Sequence, residues 1–214
     1  MTGILGGTFD PVHYGHLRPA LEVQQALGLD EIRCIPSHLP PHRSRPVATP
    51  QQRLAMLRAA VAGDSAFSID TREFEREGPS YTLDTLISLR EELGATGLCL
   101  LVGMDAFRGF TSWHRWREII DYAHIVVMTR PGSPSPAEGE LADFIARHRV
   151  KEVEALQGRS SGLLFYTPVT QLDISGTRIR KLIASGQRAD YLLPAGVLDV
   201  IRSEGLYAAG TGHG

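Results

Sequence analysis

The residues in this sequence whose types and spacing best suit chemistry lie near its start, in GGTFDPVHYGH at residues 6–16. Gly6 and Gly7 carry no side chain to hold a ligand away from the backbone. Thr8 and the amides around Phe9 can donate hydrogen bonds to phosphate oxygens. Asp10-Pro11 turns the chain toward a helix, whose first amides favour an anion. His13 and His16 stand three residues apart, a spacing at which two side chains at a helix start point the same way. Two imidazoles beside an amide-lined anion site can bind polyphosphate oxygens and stabilise charge that builds up there. A zinc site would need more ligands, and no cysteine or further histidine follows at metal-ligand spacing. The glycines also do not match the dinucleotide fingerprint G-x-G-x-x-G. Late in the chain, ISGTRIR at residues 174–180 offers a complementary set. Ser175 and Thr177 sit where a loop becomes a helix, so their hydroxyls and the local amides suit phosphate. Arg180 follows at helical spacing, with a guanidinium suited to adjacent phosphates.

The segments that must position these residues alternate between strand-like and helix-like from end to end. Gly3–Gly7 reads as a strand running into the glycine turn. From His16 to Leu27, the residues Leu17, Ala20, Leu21 and Leu27 share a helical face, and Gly28 stops the helix. Ile32–Pro36 is a second strand, and Ser37–Ala48 a polar, proline-rich loop. Thr49 as N-cap and Pro50 at the first helical position open a helix that turns Leu54, Leu57 and Val61 inward. Phe67–Asp70 is a short strand and Thr71–Pro79 a charged connection. Ser80 or Thr82 caps the next helix, with Leu83, Leu86, Ile87 and Leu93 on its inner face. Leu98–Gly103 and Ile125–Thr129 are continuous apolar runs, as in strands buried on both faces. Pro131–Gly139 is a turn, Leu163–Tyr166 a further strand, and Gly176–Ala184 and Pro194–Glu204 are short helices. This order predicts an α/β fold: a single-domain, Rossmann-like, doubly wound parallel sheet over residues 1–207, a short helical C-terminal region, and a frayed tail at 208–214. Ligands of such sheets bind outside the carboxyl ends of the strands, where strand order reverses. The turn after the first strand, the loop after the second and the region after Gly103 should therefore converge.

Composition narrows the field. The 214 residues carry 22 Lys+Arg against 24 Asp+Glu, so no broad basic surface for nucleic acid is expected. A hydrophobic content of 43% with 21% charged residues fits a packed globular chain rather than a disordered one. No apolar run approaches the roughly 20 residues that cross a bilayer. MTGILGGTFDP has no charged region followed by an apolar core, so no membrane partner and a cytoplasmic location are expected. Cys34 and Cys99 lie in apolar strand-like runs and are expected as reduced, buried thiols.

Together, GGTFDPVHYGH and ISGTRIR resemble the H-x-G-H and I-S-x-T-x-x-R signatures of the nucleotidyltransferase superfamily. Within it, the chain is similar to the bacterial nicotinate-nucleotide adenylyltransferase family from Gly3 to about Tyr207. That resemblance implies transfer of the adenylyl group of ATP to the 5′-phosphate of nicotinate mononucleotide, giving nicotinate adenine dinucleotide and pyrophosphate in NAD biosynthesis. It implies His13, His16 and Arg180 as catalytic residues. ATP would be held by these and by Gly6, Gly7, Thr8, Phe9, Gly103, Ser175 and Thr177, with His42 and Arg43 of the PPHR loop as a third phosphate contact. Asp105 would line the adenosine site, its carboxylate suiting ribose hydroxyls. For the mononucleotide, Thr82 at the helix start in GPSYTLDTL would receive the nicotinate carboxylate. Trp113 would stack on the pyridine ring. His114 stands where several relatives carry tyrosine, and Arg130 would face the acceptor phosphate.

Because that phosphate is already anionic, the reaction needs no general base and no covalent intermediate. What it needs is alignment of two polyanions and stabilisation of charge on the departing pyrophosphate. Mg²⁺ is expected through the ATP phosphates, with no metal ligands from the chain. A sister activity, such as pantetheine-phosphate adenylyl transfer or cytidylyl transfer, would share residues 6–16, but the Thr82 and Trp113 contexts favour the nicotinate reading. A non-catalytic nucleotide-binding module would keep the fold, and the intact His13, His16 and Arg180 favour an enzyme over it. Whether the chain forms a homo-oligomer is not legible in one sequence.

Overall fold

The apolar runs assemble into one seven-stranded sheet. The computed structural model describes residues 1–39, 46–129 and 138–209. Its strands are β1 Thr2–Gly7, β2 Glu31–Pro36, β3 Phe67–Ile69, β4 Leu98–Gly103, β5 His124–Thr129, β6 Arg149–Val150 and β7 Leu164–Pro168. They lie in the order β3-β2-β1-β4-β5-β7-β6, and every paired neighbour is parallel. This is the Rossmann-like, doubly wound arrangement that the alternation predicts.

Alternation along β4 shows why both faces are covered. Leu98, Leu100 and Val102 enter one apolar cluster, with Leu83 and Leu86 of the helix Thr82–Leu93 and Leu141 of the helix Gly139–His148. Cys99 and Leu101 enter the other, with Leu17, Met56 and Val197 from the helices Tyr14–Leu27, Pro50–Val61 and Ala195–Ser203. Full burial of each such side chain contributes roughly 1.5–3 kcal/mol, which is what holds helices on both sides. Cys34 and Cys99 are free and buried, and burial pushes both thiols up to about 12, so they stay protonated.

Register also makes the cleft. β1 pairs with β2 from Thr2 opposite Glu31 to Gly7 opposite Pro36, but with β4 only through Thr2, Gly3 and Ile4. Past Ile4 the two central strands separate, at the point where strand order reverses. A crevice therefore opens beyond their carboxyl ends.

Local expectations change in several places. Thr49 does cap its helix: its Oγ1 accepts from the Gln52 amide at 3.3 Å, while the Gln52 side chain accepts from the Thr49 amide at 2.9 Å. The inner face, however, is Arg53, Met56 and Leu57, with Leu54 and Val61 only half-buried. Neither Ser80 nor Thr82 caps the helix Thr82–Leu93; Tyr81 holds that position without a side-chain bond. Ser80 Oγ accepts instead from the amides of His38 and Leu39, at 2.9 and 3.3 Å, tying the segment after β2 to the helix start. The helix Gly139–His148, with Leu141, Phe144 and Ile145 inward, is an addition to the expected elements. The expected turn at 131–139 lies outside the described residues up to 137, as does the tail from 210 onward.

The opposite, amino-terminal end of the strands is pinned by one side chain. Arg90 Nη1 donates to the carbonyls of Gly94 and Thr96, at 2.6 and 2.7 Å, and Nη2 to those of Tyr122 and Ser160, at 2.6 and 2.9 Å. These carbonyls precede β4, β5 and β7. Arg90→Ala is expected to lower unfolding free energy by about 2–4 kcal/mol, since four carbonyls lose a charged donor. Urea unfolding checks this, and turnover of the folded fraction should stay unchanged because the cleft is at the other end.

Candidate active site

The site is built on the turn that leaves β1. Phe9 has φ +49, in the left-handed region, and its ring is buried. A non-glycine residue there is strained by about 1–3 kcal/mol and persists only where its surroundings hold it. Asp10 supplies much of the holding. Its Oδ1 accepts from the Tyr207 hydroxyl at 2.6 Å and the Ala48 amide at 3.2 Å, and its Oδ2 from the Val47 amide at 2.8 Å. Burial, and then the Asp10 carboxylate, push the Tyr207 hydroxyl well above the usual range, which keeps it a donor. Arg180 closes the ring: Nη1 donates to the Asp10 carbonyl at 2.5 Å and lies 3.6 Å from Asp10 Oδ2, and Nη2 donates to Thr177 Oγ1 at 3.4 Å. The two sequence signatures are thereby fastened together.

His13 and His16 meet at the start of the helix Tyr14–Leu27, their rings stacked with centroids 3.8 Å apart. The His13 amide donates to His16 Nδ1 at 3.3 Å, and the Phe9 ring meets His16 edge-on at 5.2 Å. The first helical turn carries no acidic residue to oppose an anion, although the Tyr14 amide already donates to the Leu192 carbonyl at 3.1 Å and the His16 amide to the His13 carbonyl at 2.9 Å. Burial lowers His13 to about 4, so its imidazole is neutral near neutral pH. A glycine lies inside each signature for a steric reason. A Cβ on Gly15 would fall 2.9 Å from His13 Nδ1 and 3.0 Å from the Ile174 carbonyl; one on Gly176 would fall 2.8 Å from the Asp10 carbonyl. Only bare backbone lets the two segments approach this closely. Ser175 caps the helix Gly176–Ala184 by accepting from the Arg178 amide at 3.2 Å.

Two cavities share the crevice. The larger, about 620 Å³, brings together Gly6, Gly7, Thr8, Phe9, His13, His16, Gly103, Ser175, Thr177 and Arg180. The smaller, about 370 Å³, has an apolar floor of Ile4, Ile35, Leu86 and Leu100 and carries Thr82, Trp113 and His114. Gly6, Gly7, Thr8, Leu101, Ala106 and Trp113 line both, so the cavities are lobes of one cleft that meet above the glycine turn. Trp113 is half-buried, whereas Trp116 is core. His114 stacks on Tyr81 with centroids 4.2 Å apart. Asp105 lines the smaller lobe and Gly103 the larger, with Asp105 Oδ1 3.3 Å from Arg108 Nη1. His42, Arg43 and Arg130 lie outside the described residues.

Several residues here were not singled out in the sequence. Asp10, Gly15 and Gly176 sit inside the signatures, and their position there is the signal that could have found them. Glu73 and Thr85 of the smaller lobe gave none. Thr85 Oγ1 donates to Glu73 Oε1 at 2.6 Å and accepts from Arg76 Nη2 at 2.7 Å. Burial raises the Glu73 carboxyl against the opposing effects of Thr85, Ser80 and Arg76. Among the described residues, no three His, Cys, Asp or Glu side chains are grouped to hold a metal ion. No helix among them is long and apolar enough to cross a membrane.

A reversed strand order opening onto an anion-suited turn is the architecture of nucleotide-binding enzymes, and the chain belongs to the cytidylyltransferase-like family, which matches residues 4–182. Its relatives place it among the nicotinate-nucleotide adenylyltransferases. The Aeromonas salmonicida protein named "Probable nicotinate-nucleotide adenylyltransferase" is 50% identical over 207 residues, 97% of each chain. A protein of the same name from Methylococcus capsulatus is 50% identical over 209 residues, covering 97% of this chain and all of the relative. A Plasmodium falciparum nicotinic acid mononucleotide adenylyltransferase complexed with NaAD has the same fold, with a TM-score of 0.71 over 96% of both chains at 16% identity.

Two outcomes test this geometry. Unfolded, His13 takes a proton near its ordinary 6.5, whereas in the fold it does so only near 4. Its contribution is therefore complete above about pH 6.5 and is lost as pH falls toward 4, by about 3 kcal/mol. Urea unfolding across that window should show a steeper loss for the native chain than for His13→Asn. Gly176→Ala should cost about 1–3 kcal/mol, because the added methyl meets backbone, and should lower turnover by parting Arg180 from the histidines. Paired melting and rate measurements check it.

Proposed function

We propose that this chain transfers the adenylyl group of ATP to the 5′-phosphate of nicotinate mononucleotide, giving nicotinate adenine dinucleotide and pyrophosphate. The observation that supports this most is the two-lobed cleft. Stacked histidines and an arginine line one lobe, an aromatic and a helix start line the other, and the two meet over side-chain-free backbone. The larger lobe suits a triphosphate. The smaller suits a pyridine ring between Trp113 and the apolar floor, with its carboxylate toward the start of the helix Thr82–Leu93.

A phosphate oxygen of the mononucleotide attacks the α-phosphorus of ATP, and the bond from that phosphorus to the β-bridging oxygen breaks. Pyrophosphate leaves with the electron pair. Gly6, Gly7 and the adjoining amides let the two phosphates approach without a side chain between them. His13, His16 and Arg180, with Ser175 and Thr177, bind the phosphates that take up the charge. Neutral His13 donates through one nitrogen only, so it orients a phosphate oxygen rather than adding charge. Mg²⁺ enters with ATP as part of the substrate. Asp10, the carboxylate that lines the larger lobe, is already committed to Tyr207, Val47 and Ala48 and is not free to ligate it. The chain acts without a lipid or nucleic-acid partner, and residues 1–207 work as one domain.

The deciding experiment is pyrophosphate release from ATP with nicotinate mononucleotide, run beside nicotinamide mononucleotide at equal concentration. Faster release with the acid supports the assignment, and no release with either overturns it. His16→Ala is expected to lower kcat by about 10²–10³ with the fold intact. Trp113→Ala is expected to raise KM for the mononucleotide more than for ATP; equal rises would remove Trp113 from the acceptor site.

A further inference from the structure

The helix Pro50–Val61 directs a charged residue, Arg53, into the core, where no step of the adenylyl transfer described above uses it. Its side chain is fully buried. Nη1 donates to the Thr8 carbonyl at 2.8 Å, while Nε and Nη2 have no hydrogen-bond partner among the described residues. The guanidinium lies over the Phe74 ring, 5.3 Å from its centroid. No carboxylate among the described residues is near enough to form an ion pair with it. Asp10, beside the larger lobe, and Glu73, in the smaller, act on it only at longer range.

Such a charge is a poor choice for stability alone. An unpaired ion in a packed interior costs several kcal/mol of desolvation, and an apolar side chain of similar volume would avoid that. Its single hydrogen bond goes to Thr8, which lines both lobes and precedes the left-handed Phe9. Bond formation between the two substrates must take place where the lobes meet. A cation beneath that point, screened from water and with no carboxylate in direct contact, projects a field into the cleft that Asp10 and Glu73 oppose only in part.

We propose that Arg53 is a positioning residue of the adenylyl transfer: its buried guanidinium holds the Thr8 carbonyl, and so the shape of the glycine turn, while its unpaired charge draws the two reacting phosphates together above that turn. This rests on the function proposed above. Arg53 touches neither substrate; it acts through the Thr8 backbone and through its field. The field favours the crowded dianionic arrangement of the transition state more than either substrate bound alone, so its loss falls on kcat rather than on KM.

The test pairs Arg53→Gln, which keeps a donor for Thr8 but removes the charge, with Arg53→Lys, which carries the charge once protonated. Both are assayed by pyrophosphate release with ATP and nicotinate mononucleotide, beside the unmodified enzyme, with circular dichroism as the check of folding. Arg53→Gln is expected to lose about 30-fold in kcat, with both KM values within about threefold of the unmodified enzyme. Arg53→Lys, assayed down to about pH 6, should recover to about a third or more of the rate as its buried amine takes up a proton. An unchanged rate in Arg53→Gln, a loss residing in KM, or a lysine variant as slow as the glutamine one throughout that pH range overturns the proposal. So does a glutamine variant that does not fold, because the charge would then serve stability. If the unmodified enzyme itself releases no pyrophosphate, the failure belongs to the proposed function and not to Arg53.

Discussion

The Asp10 carboxyl group joins parts of the chain that are far apart in sequence, and the rest of the cleft depends on that junction. Its oxygens accept from Val47 and Ala48, before the second helix, and from Tyr207 near the C-terminal end; its carbonyl accepts from Arg180. Each bond alone is worth on the order of 1–3 kcal/mol. Together they immobilise the residue that follows Phe9, at the point where β1 must stop being a strand and begin to face a ligand. A turn with an unfavourable backbone angle needs restraint from several directions, and Asp10 draws it from three.

The electrostatics of the cleft follow from that packing. The histidine pair is stacked closely and buried on one side, which keeps His13 neutral. Positive charge therefore comes from arginines: Arg180 at the edge of the larger lobe and Arg53 beneath the turn. The first helical turn places no acidic residue there to oppose them. This combination suits phosphate transfer, which asks for directed donors and fixed charge rather than a strong base. The smaller lobe is different in kind, apolar on its floor with hydroxyls and aromatic rings above it, as a flat heteroaromatic ring would require.

Much of this was legible beforehand, for reasons that differ by element. β4 and β5 stood out because strands covered on both faces need continuous apolar runs. The helix at Pro50 announced itself through Thr49 and Pro50, whose capping is local chemistry. The inward turn of Arg53 did not, since an arginine on an amphipathic helix ordinarily faces water, and only its bond to Thr8, 45 positions earlier, explains it. Ser80 looked like a cap because serine before a helix usually is one; contact with the His38 and Leu39 amides gave it a different partner.

The amino-acid order by itself determined which segments become strands and helices, that they form a parallel sheet, and which short signatures carry phosphate-binding groups, because hydrophobic period, caps and glycine placement act over a few residues. Only the tertiary structure decided that Gly15 and Gly176 are bare so that the two signatures can touch, that Asp10 and Tyr207 lock them, and that Glu73 and Arg53 lie inside. Those outcomes depend on which distant backbone arrives within hydrogen-bonding distance, and that is set by the packing of the whole sheet and its helices, not by any local run of residues.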